Sequence, residues 1–576
     1  MINGHVALAF DELATLLEIE GESPFKIRAY RNFADVVRAL PEPLSAIDGR
    51  GQLDDMPGVG KAIAGKVREL LQHGSMKRLD RARDEIPAGL RDLLRVPNLG
   101  PGRVRKLWQD LSITTLSELV DACRDGRVEK LAGFAKIAPK LLIDAEAIRA
   151  TIGRVLLAQA HGLASWLIPQ LSHPSGTRVR TAGAVRRAHE IVDELTLVVD
   201  RAPRDVAAAF EAPDGGEAVV QVLEVDEAKS HVIARPLGSE GPRVRVCCTG
   251  ERGFVEALIV ETGDDDHVAA LQARAEARGT TLRAICQVAL DEDAAYAALG
   301  LPPIPAELRE GGVIEPPPVD LLGVRGVRGI FHVHTTWSDG TGSIVDMARS
   351  AHEMGYAYVG ISDHSRAASY ANGLGPDRLA EQRLEVEHAR KQVPEITILH
   401  GIEVDVLEDG ALDLPDDVLA RLDFVVASLH THFQLDFEAQ TRRMVRALGH
   451  PLVTILGHPT GRLLLGRPGY TFDLDRVARA ATSGGVFLEI NASPQRLDLC
   501  PEMIRRAAEL GARFCINPDA HEPRGFADVP LGIAQARRAA LRAEQVFNAR
   551  DTDDVIAALR SRRAIGAKKL GVVVLS

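Results

Sequence analysis

The sequence predicts a multi-domain protein in which an all-α region precedes an α+β domain and a C-terminal α/β barrel. Its 576 residues exceed what one hydrophobic core usually serves, so roughly two to four domains are expected. Apolar residues make up 45% and charged residues 26% of the chain, which excludes collagen-like, coiled-coil and wholly disordered proteins. The hydrophobic pattern changes near residues 160 and 300, and we place domain boundaries there.

Charge and cysteine content restrict the possible partners and compartment. The formal charge is -11, from 69 basic and 80 acidic side chains, so any contact with nucleic acid must use local basic patches or metal ions. The 6 cysteines are scattered without a C-x-x-C pair, which indicates neither a disulfide framework nor a cysteine zinc site. Apolar runs stay below the roughly 18 residues of a membrane span. We therefore expect a cytoplasmic protein that does not bind membranes.

Residues 1–160 are predicted to be helical, because apolar residues recur at spacings of three and four, as at Phe10, Leu13 and Leu17. Two segments, LDDMPGVGKAIAGKVREL and LLRVPNLGPGRVRKLW, each join an apolar helix end to a basic helix through Pro-x-x-Gly. They resemble helix-hairpin-helix motifs, in which the turn is expected to require glycine and exposes helix amides to a DNA phosphate. Two copies favour DNA binding over an ordinary turn between core helices. The expected contacts are Gly58, Gly60, Lys61, Lys66, Gly100, Gly102, Arg103 and Lys106.

Residues 161–300 are predicted to form an α+β domain. Short β-branched runs (ELTLVVD, AVVQVLEV, HVIARPL and RVRVCC) are followed by the helical pattern VAALQARAEARG. Residues 301–325 contain Pro302, Pro303, Pro305 and Pro316 to Pro318. Because proline lacks an amide donor and fixes φ, this stretch is predicted to be a linker.

Residues 326–576 are predicted to form a (β/α)7 barrel. The apolar runs GIFHVHT, YVGISDHS, TILHGIEVDV, FVVASLHTH, VTILGHP, VFLEINA and FCINPDAH alternate with amphipathic helices. Near-continuous apolar strands separated by helices indicate a parallel sheet that is covered on its faces, and seven such units suggest closure. Chemistry in such barrels lies at the carboxyl ends of the strands.

Six of the seven runs end in a potential metal ligand, and 11 of the 18 histidines lie between His332 and His521. A single histidine at a strand end is usually structural, but this recurrence favours a metal site. The candidate ligands are His332, His334, Asp339, His364, Glu403, His430, His458, Asp519 and His521. Nitrogen and oxygen donors in this number suit two or three divalent cations of manganese, zinc or iron, with Glu403 as a bridging carboxylate.

A group of close divalent cations holds a phosphoryl group, activates water and stabilises the leaving oxygen, so phosphoester hydrolysis is the expected reaction. We assign the catalytic role to Glu403, Asp519 and His430. Supporting roles next to the ligands are predicted for His432, Asp363, Asp405 and Asp498. Phosphate contacts are predicted for Arg462, Arg467 and Arg496, which follow the fifth and sixth strands.

The segments HVHTTWSDG, SDHS, HGIEVD, SLHTHF, GHPTGR and NPDAH resemble the motifs of the polymerase-and-histidinol-phosphatase (PHP) domain and match its nine ligand positions. The resemblance implies three metal groups: His332, His334, Glu403 and Asp519; Glu403, His430 and His458; and Asp339, His364 and His521. That family includes histidinol-phosphate phosphatases, exonucleases and small-phosphoester hydrolases, so the domain alone does not choose a substrate.

GESPFKIRAYRNFADVV and LGLPPIPAELREG resemble bacterial family X DNA polymerases, and with the PHP segment the resemblance covers nearly the whole chain. It breaks at the polymerase site. AGAVRRAHEIVDELTLVVD matches at Gly183 and Asp193, whereas Leu195 stands for the second catalytic aspartate and Arg245 for the third. A shifted alignment would recruit Glu194 or Asp200 instead. Because leucine and arginine cannot hold magnesium, polymerisation is expected to be lost.

The resemblance then implies a metal-dependent 3'-5' exonuclease for DNA repair, acting on primer ends or gaps, and also an endonuclease at abasic sites. Three alternatives remain. The first is an active family X repair polymerase with a PHP exonuclease. The second is a DNA-binding scaffold with structural metals. The third is a small-molecule phosphatase, which would leave the helix-hairpin-helix pair without a role.

Overall fold

The computed structural model describes residues 3–38, 40, 44–56, 59–73, 75–87, 89–172, 176–211, 220–236, 241–312, 314 and 316–572. The chain divides into two units, Met1–Ile152 and Gly153–Ser576. No described helix combines the length and the apolar character needed to cross a membrane.

Every regular element described in the first unit is a helix, as predicted. The α-helices are α1 (Asn3–Glu20), α2 (Pro24–Arg38), α3 (Leu44–Gly49), α4 (Lys61–His73), α5 (Lys77–Glu85), α6 (Leu90–Leu93), α7 (Pro101–Leu111), α8 (Leu116–Arg124), α9 (Arg127–Lys130) and α10 (Ala138–Arg149). Rings hold α1 to α2, because Phe10 packs edge-on against Phe33 at 4.6 Å. The unit ends before residue 160 because Val155–Leu156 pairs with Ile191–Val192 of the second unit.

The α+β prediction for the next region is confirmed. Its elements are β1 (Val155–Leu156), α11 (Leu157–Leu171), β2 (Val179–Ala182), α12 (Gly183–Arg186), β3 (Ile191–Val192), β4 (Glu194–Val199), α13 (Pro203–Glu211), β5 (Val220–Asp226), β6 (His231–Pro236), β7 (Arg243–Cys248), α14 (Phe254–Thr262), α15 (Asp265–Glu276), α16 (Leu282–Cys286) and α17 (Glu292–Ala298). The five-stranded sheet has the order β2-β4-β7-β6-β5. Within it, β4 and β7 run parallel and the other pairs run antiparallel.

The segment predicted to be a linker is packed over much of its length. Leu301 and Ile304 are buried in the core formed by α14 to α17, and Ala306–Leu308 forms a 3-10 helix. Arg309 is 4% exposed and pairs with Glu292. Apolar side chains between the prolines therefore pack the start of this segment against the preceding helices. A free linker would not be packed in this way.

The barrel strands are β8 (Gly329–Ile330), β9 (Tyr358–Ile361), β10 (Thr397–His400), β11 (Glu403–Asp405), β12 (Val426–Ser428), β13 (Ile455–Leu456), β14 (Phe487–Asn491) and β15 (Phe514–Asn517). The helices are α18 (Ile344–Glu353), α19 (Pro376–Gln392), α20 (Asp416–Leu419), α21 (Phe437–Leu448), α22 (Leu474–Gly484), α23 (Pro501–Glu509), α24 (Val529–Arg538) and α25 (Thr552–Leu570). All strand pairs are parallel.

The barrel is nearly closed, because Val333 forms a parallel bridge with Ala520 beyond the last strand. The third predicted strand is interrupted at residues 401–402, which separates β10 from β11. A side chain at Gly401 would meet the Phe424 ring at 2.4 Å, so glycine is required there. The aromatic rings of Phe331, Phe424 and Phe547 pack together in a buried apolar cluster.

Candidate metal centre and polymerase-like site

The nine predicted metal ligands lie together at the carboxyl ends of the barrel strands. His364, His430 and His458 follow β9, β12 and β13. Glu403 lies three residues beyond β10, at the start of β11, and forms a parallel bridge with His364. Asp519 follows β15. A parallel barrel brings these ends to one mouth, so residues that are far apart in sequence converge.

Glu403 is at the middle of this cluster and is fully buried. Five imidazoles surround it, with their nearest nitrogens 2.7 to 3.7 Å from its carboxylate oxygens. They belong to His332, His334, His364, His430 and His458. A carboxylate in this position is able to serve more than one cation.

The candidate ligands form overlapping groups whose donor atoms lie within 4.8 Å of one another. Those within the cluster are His334, Asp339, His364 and His521; His332, His334 and Asp519; His332, Glu403 and His458; and His364, Glu403 and His430. His430 and His458, which the resemblance assigns to one ion, thus stand in different groups. The shared members indicate a site for several neighbouring ions rather than one isolated ion.

The hydrogen bonding of the candidate ligands shows that they fit divalent cations. Several buried ligand atoms form no hydrogen bond of good geometry with a described residue, although some of them lie within ion-pair distance of one another: Nε2 of His332, both ring nitrogens of His334, Nδ1 of His364, Oε2 of Glu403 and Nδ1 of His458. Buried polar atoms are normally satisfied by hydrogen bonds. Cations would satisfy these lone pairs together.

The electrostatics of the cluster also suit cations. Burial alone would raise the pKa of the Glu403 carboxyl, but the charges of His430 and His332 hold that pKa well below its usual range. His332 acts in the same way on Asp519, again against the effect of burial. Burial lowers the pKa of His334 to about 3. The ionised carboxylates and the neutral His334 imidazole are in the forms that bind metal. Against the effect of burial, the charge of Glu403 raises the pKa of His430 to about 10, so a cation bound by that ring would displace a proton.

Two carboxylates orient ligating histidines. Asp405, predicted for such a role, accepts a hydrogen bond from Nδ1 of His430 at 3.2 Å. Glu489 was not predicted; it accepts from Nδ1 of His332 at 2.8 Å and from the amide of His458 at 2.7 Å. These bonds direct Nε2 of each ring into the site. The only sequence signal for Glu489 is a carboxylate inside the apolar run VFLEINA.

The other predicted supporting residues act further away. Asp363 accepts hydrogen bonds from Thr335 and Ser338, and so holds the loop that carries Asp339. Asp498 accepts from the amide and hydroxyl of Thr460. The imidazole of His432 is 46% exposed and lies 3.9 Å from Glu408, and no contact between it and the described ligands is found.

Replacing Glu489 with glutamine is expected to weaken manganese binding about 10- to 100-fold, because the amide no longer balances the charge on His332. Metal titration with quantification of bound manganese measures this. Glu438→Gln is the matched control, since that carboxylate is 49% exposed on α21. Equal manganese affinity in Glu489→Gln and wild type would contradict the orienting role.

Only one of the three arginines predicted to contact phosphate reaches the cluster. Nε of Arg496 lies 3.4 Å from Asp519, in a cleft of about 390 Å³ beside His521. Arg462 is instead paired with Glu190 at 2.6 Å. The Arg467 guanidinium lies 4.4 Å from the centre of the Phe433 ring. It also donates a hydrogen bond to the Gly461 carbonyl at 2.9 Å. The guanidinium groups of these last two arginines have partners within the fold, and their contact with phosphate stays a prediction.

The structure corrects the placement of Leu195 at the polymerase-like site. Metal ligands on neighbouring strands must share a face of the sheet, and side chains alternate between faces along a strand. Thr196 lies opposite Arg245 in the pairing of β4 with β7, so Glu194 and Thr196 share the face of Arg245. Leu195 points into the apolar core on the other face. Asp193 precedes β4 and is exposed.

Arg245 is held in an internal ion-pair network. Its Nε donates to Glu194 and its Nη2 donates to Glu261, each at 2.6 Å. Thr196, which has no carboxylate, is the remaining residue of this face. Gly183 packs closely against it, because a Cβ on Gly183 would lie 3.0 Å from the Thr196 hydroxyl. A guanidinium therefore lies between the two carboxylates of this site.

The helix-hairpin-helix residues lie in the first unit. Lys61 begins α4, which also carries Lys66. Lys61 is exposed and Lys66 is partly buried, with its ammonium 5.8 Å from the centre of the Tyr30 ring. Gly100 caps α7, which carries Gly102, Arg103 and Lys106, and Gly58 lies outside the described residues.

The expectation that these turns require glycine is wrong for Gly60, Gly100 and Gly102. None of the three has a positive φ, and a Cβ on each would meet nothing within 4 Å. The left-handed residue of the second motif is Asn98, with φ 67°, whose carbonyl accepts from Arg103 at 2.7 Å.

Comparison with known proteins agrees with this architecture. A helix-hairpin-helix domain matches residues 1–76 and a PHP domain matches residues 331–493. The DNA polymerase/3'-5' exonuclease PolX of Bacillus subtilis is 32% identical over 567 residues, which is 96% of this chain and 98% of the relative. A probable phosphatase of Caldanaerobacter subterraneus is 33% identical over 205 residues, 33% of this chain and 74% of the relative. Similarity to PolX over almost the full length of both chains shows that the protein belongs to the bacterial family X DNA polymerases with a C-terminal PHP domain.

Proposed function

We propose that the protein is a metal-dependent DNA phosphodiesterase, a 3'-5' exonuclease that also cuts at abasic sites in DNA repair, and that it no longer polymerises. The observation that carries the proposal is the buried Glu403 carboxylate among five imidazoles, with orphaned donor atoms around it. The name of the Bacillus subtilis relative includes 3'-5' exonuclease, which supports a DNA substrate over a small phosphoester.

Divalent cations bound at this site would activate a water molecule and neutralise the charge that develops on the phosphoryl oxygens. The chain's own residues prepare the site. Asp405 and Glu489 orient His430 and His332 through Nδ1, so that each Nε2 faces Glu403. Arg496 borders the cleft beside Asp519 and is positioned to pair with a backbone phosphate.

The loss of polymerisation is supported by the network around Arg245. Magnesium needs anionic oxygen ligands, and Glu194 and Glu261 are both engaged by this guanidinium. A positive charge between them repels a divalent cation at short range.

The proposal is tested with primer-template DNA that carries a label at the 5' end of the primer. With Mn²⁺, we expect stepwise shortening from the 3' end, and the same pattern when all four nucleotides are added. An abasic-site duplex tests the endonuclease separately. A primer of unchanged length would favour a scaffold or a small-molecule phosphatase, and a lengthened primer would indicate an active polymerase.

DNA binding through the helix-hairpin-helix segments is tested in the full chain by changing Lys61, Lys66, Arg103 and Lys106 to alanine. Each phosphate contact contributes about 0.9 to the logarithmic salt slope on duplex DNA, so we expect the slope to fall by about 2 to 4. The apparent KM for long DNA should rise several-fold, whereas hydrolysis of a small chromogenic phosphodiester should not change.

Arg81→Ala with Lys140→Ala is the matched control for that variant. These side chains are 72% and 70% exposed in the same unit and lie outside both motifs. An unchanged salt slope in the quadruple variant would show that DNA is held elsewhere.

A further inference from the structure

The amino-terminal end of the barrel carries a cleft of about 430 Å³ that the proposed reaction does not use. Its wall includes Thr397, the first residue of β10. The candidate metal ligands lie at the carboxyl ends of the parallel strands, so this cleft opens at the opposite end of the barrel. Buried Ile398, Leu399 and Leu559 form its floor.

Four arginines line the cleft from two helices. Arg383 and Arg390 come from α19, and Arg560 and Arg563 come from α25. Residues seven or three positions apart lie on one face of a helix, so each helix presents a pair of guanidinium groups. Asp423 is the single carboxylate among the lining residues, and positive charge is in excess.

One side-chain carboxylate of the protein already lies between the two helices in this cleft. The Asp423 carboxylate accepts from Nη2 of Arg390 at 3.1 Å and from Nη1 of Arg563 at 3.4 Å. The Glu387 carboxylate accepts a hydrogen bond from Nη1 of Arg390 at 2.9 Å. Arg383 lies 4.0 Å from the Glu387 carboxylate and donates to the Arg421 carbonyl at 2.8 Å. Two carboxylates are therefore shared by three of the guanidinium groups, and Arg560 forms no hydrogen bond or ion pair with any described residue.

We propose that this cleft binds a small anion with a dianionic phosphate group, either inorganic phosphate or a nucleoside phosphate. Guanidinium groups recognise phosphate oxygens through paired, charge-assisted hydrogen bonds. The volume lies within the range of about 300 to 1,000 Å³ typical of small-molecule sites. The proposal is independent of the phosphodiesterase function, since none of these residues contacts the metal cluster.

The test is isothermal titration calorimetry of the full chain in EDTA, which prevents binding through metal ions. Inorganic phosphate and deoxyadenosine monophosphate are titrated separately, and tighter binding of the latter identifies a nucleotide as the ligand. Arg560→Gln with Arg563→Gln is expected to lower affinity at least about tenfold, since it removes two charged donors that would pair with the phosphate oxygens. Arg442→Gln, whose side chain is 65% exposed on α21, is expected to bind as wild type does.

Two results would overturn the proposal: no binding of either anion at about 10 mM, or equal affinity in the double variant. Binding of oligonucleotides alone would also overturn it, in favour of a DNA contact. Should the double variant fail to fold, the exposed Arg560→Gln alone decides, because this side chain has no described partner to lose. Unchanged affinity in that single variant would refute the site.

Discussion

Replacing Glu403 with glutamine is expected to reduce DNA hydrolysis by about a thousandfold, comparable with the loss of one charge-stabilising group in an active site. Glutamine keeps the volume but removes the negative charge that faces five imidazoles. Fewer bound metal ions per chain should accompany the loss of rate. The measurements are the initial rate on end-labelled DNA and the metal content of the dialysed protein.

Asp193→Asn is the control for that experiment, because Asp193 is exposed and precedes β4, away from the barrel mouth. Its rate and metal content should equal those of wild type. Thermal unfolding of both variants checks that the fold persists. If Asp193→Asn lost hydrolysis while Glu403→Gln kept it, the assignment of the chemistry to the barrel would be wrong.

No primer extension is expected with Mg²⁺ or Mn²⁺ and all four nucleotides, even after the competing nuclease is removed by His332→Ala. The physical reason is the guanidinium of Arg245, which donates to Glu194 and Glu261 at 2.6 Å each and leaves neither carboxylate to a cation. Denaturing gel electrophoresis of a labelled primer measures the result. An added active polymerase should extend the same primer, which shows that the substrate is competent.

Extension by the His332→Ala variant alone would mean that the carboxylates release Arg245 and hold magnesium during synthesis. In that case Glu194→Gln should abolish the extension, whereas Asp193→Asn should not. These two variants therefore distinguish an active site on the sheet face of Arg245 from one that uses Asp193.

Sequence patterns determined the domain order, the three kinds of domain and the convergence of the metal ligands. These features follow from local periodicity and from the rule that the strands of a parallel barrel end at one mouth. The nine ligands could be predicted from the sequence because each lies in or near the end of an apolar run. The grouping of Glu403 with particular histidines came from the PHP resemblance, and the structure places His430 and His458 in different groups.

Tertiary structure alone decided the polymerase face and the partners of the charged residues. Leu195 was assigned to the wrong face because a displacement of one residue in a strand transfers every side chain to the opposite side, and only the pairing of β4 with β7 sets that register. Glu489, Glu190 and Glu261 acquire their partners from segments distant in sequence. Such contacts depend on packing geometry, which no local spacing along the chain encodes.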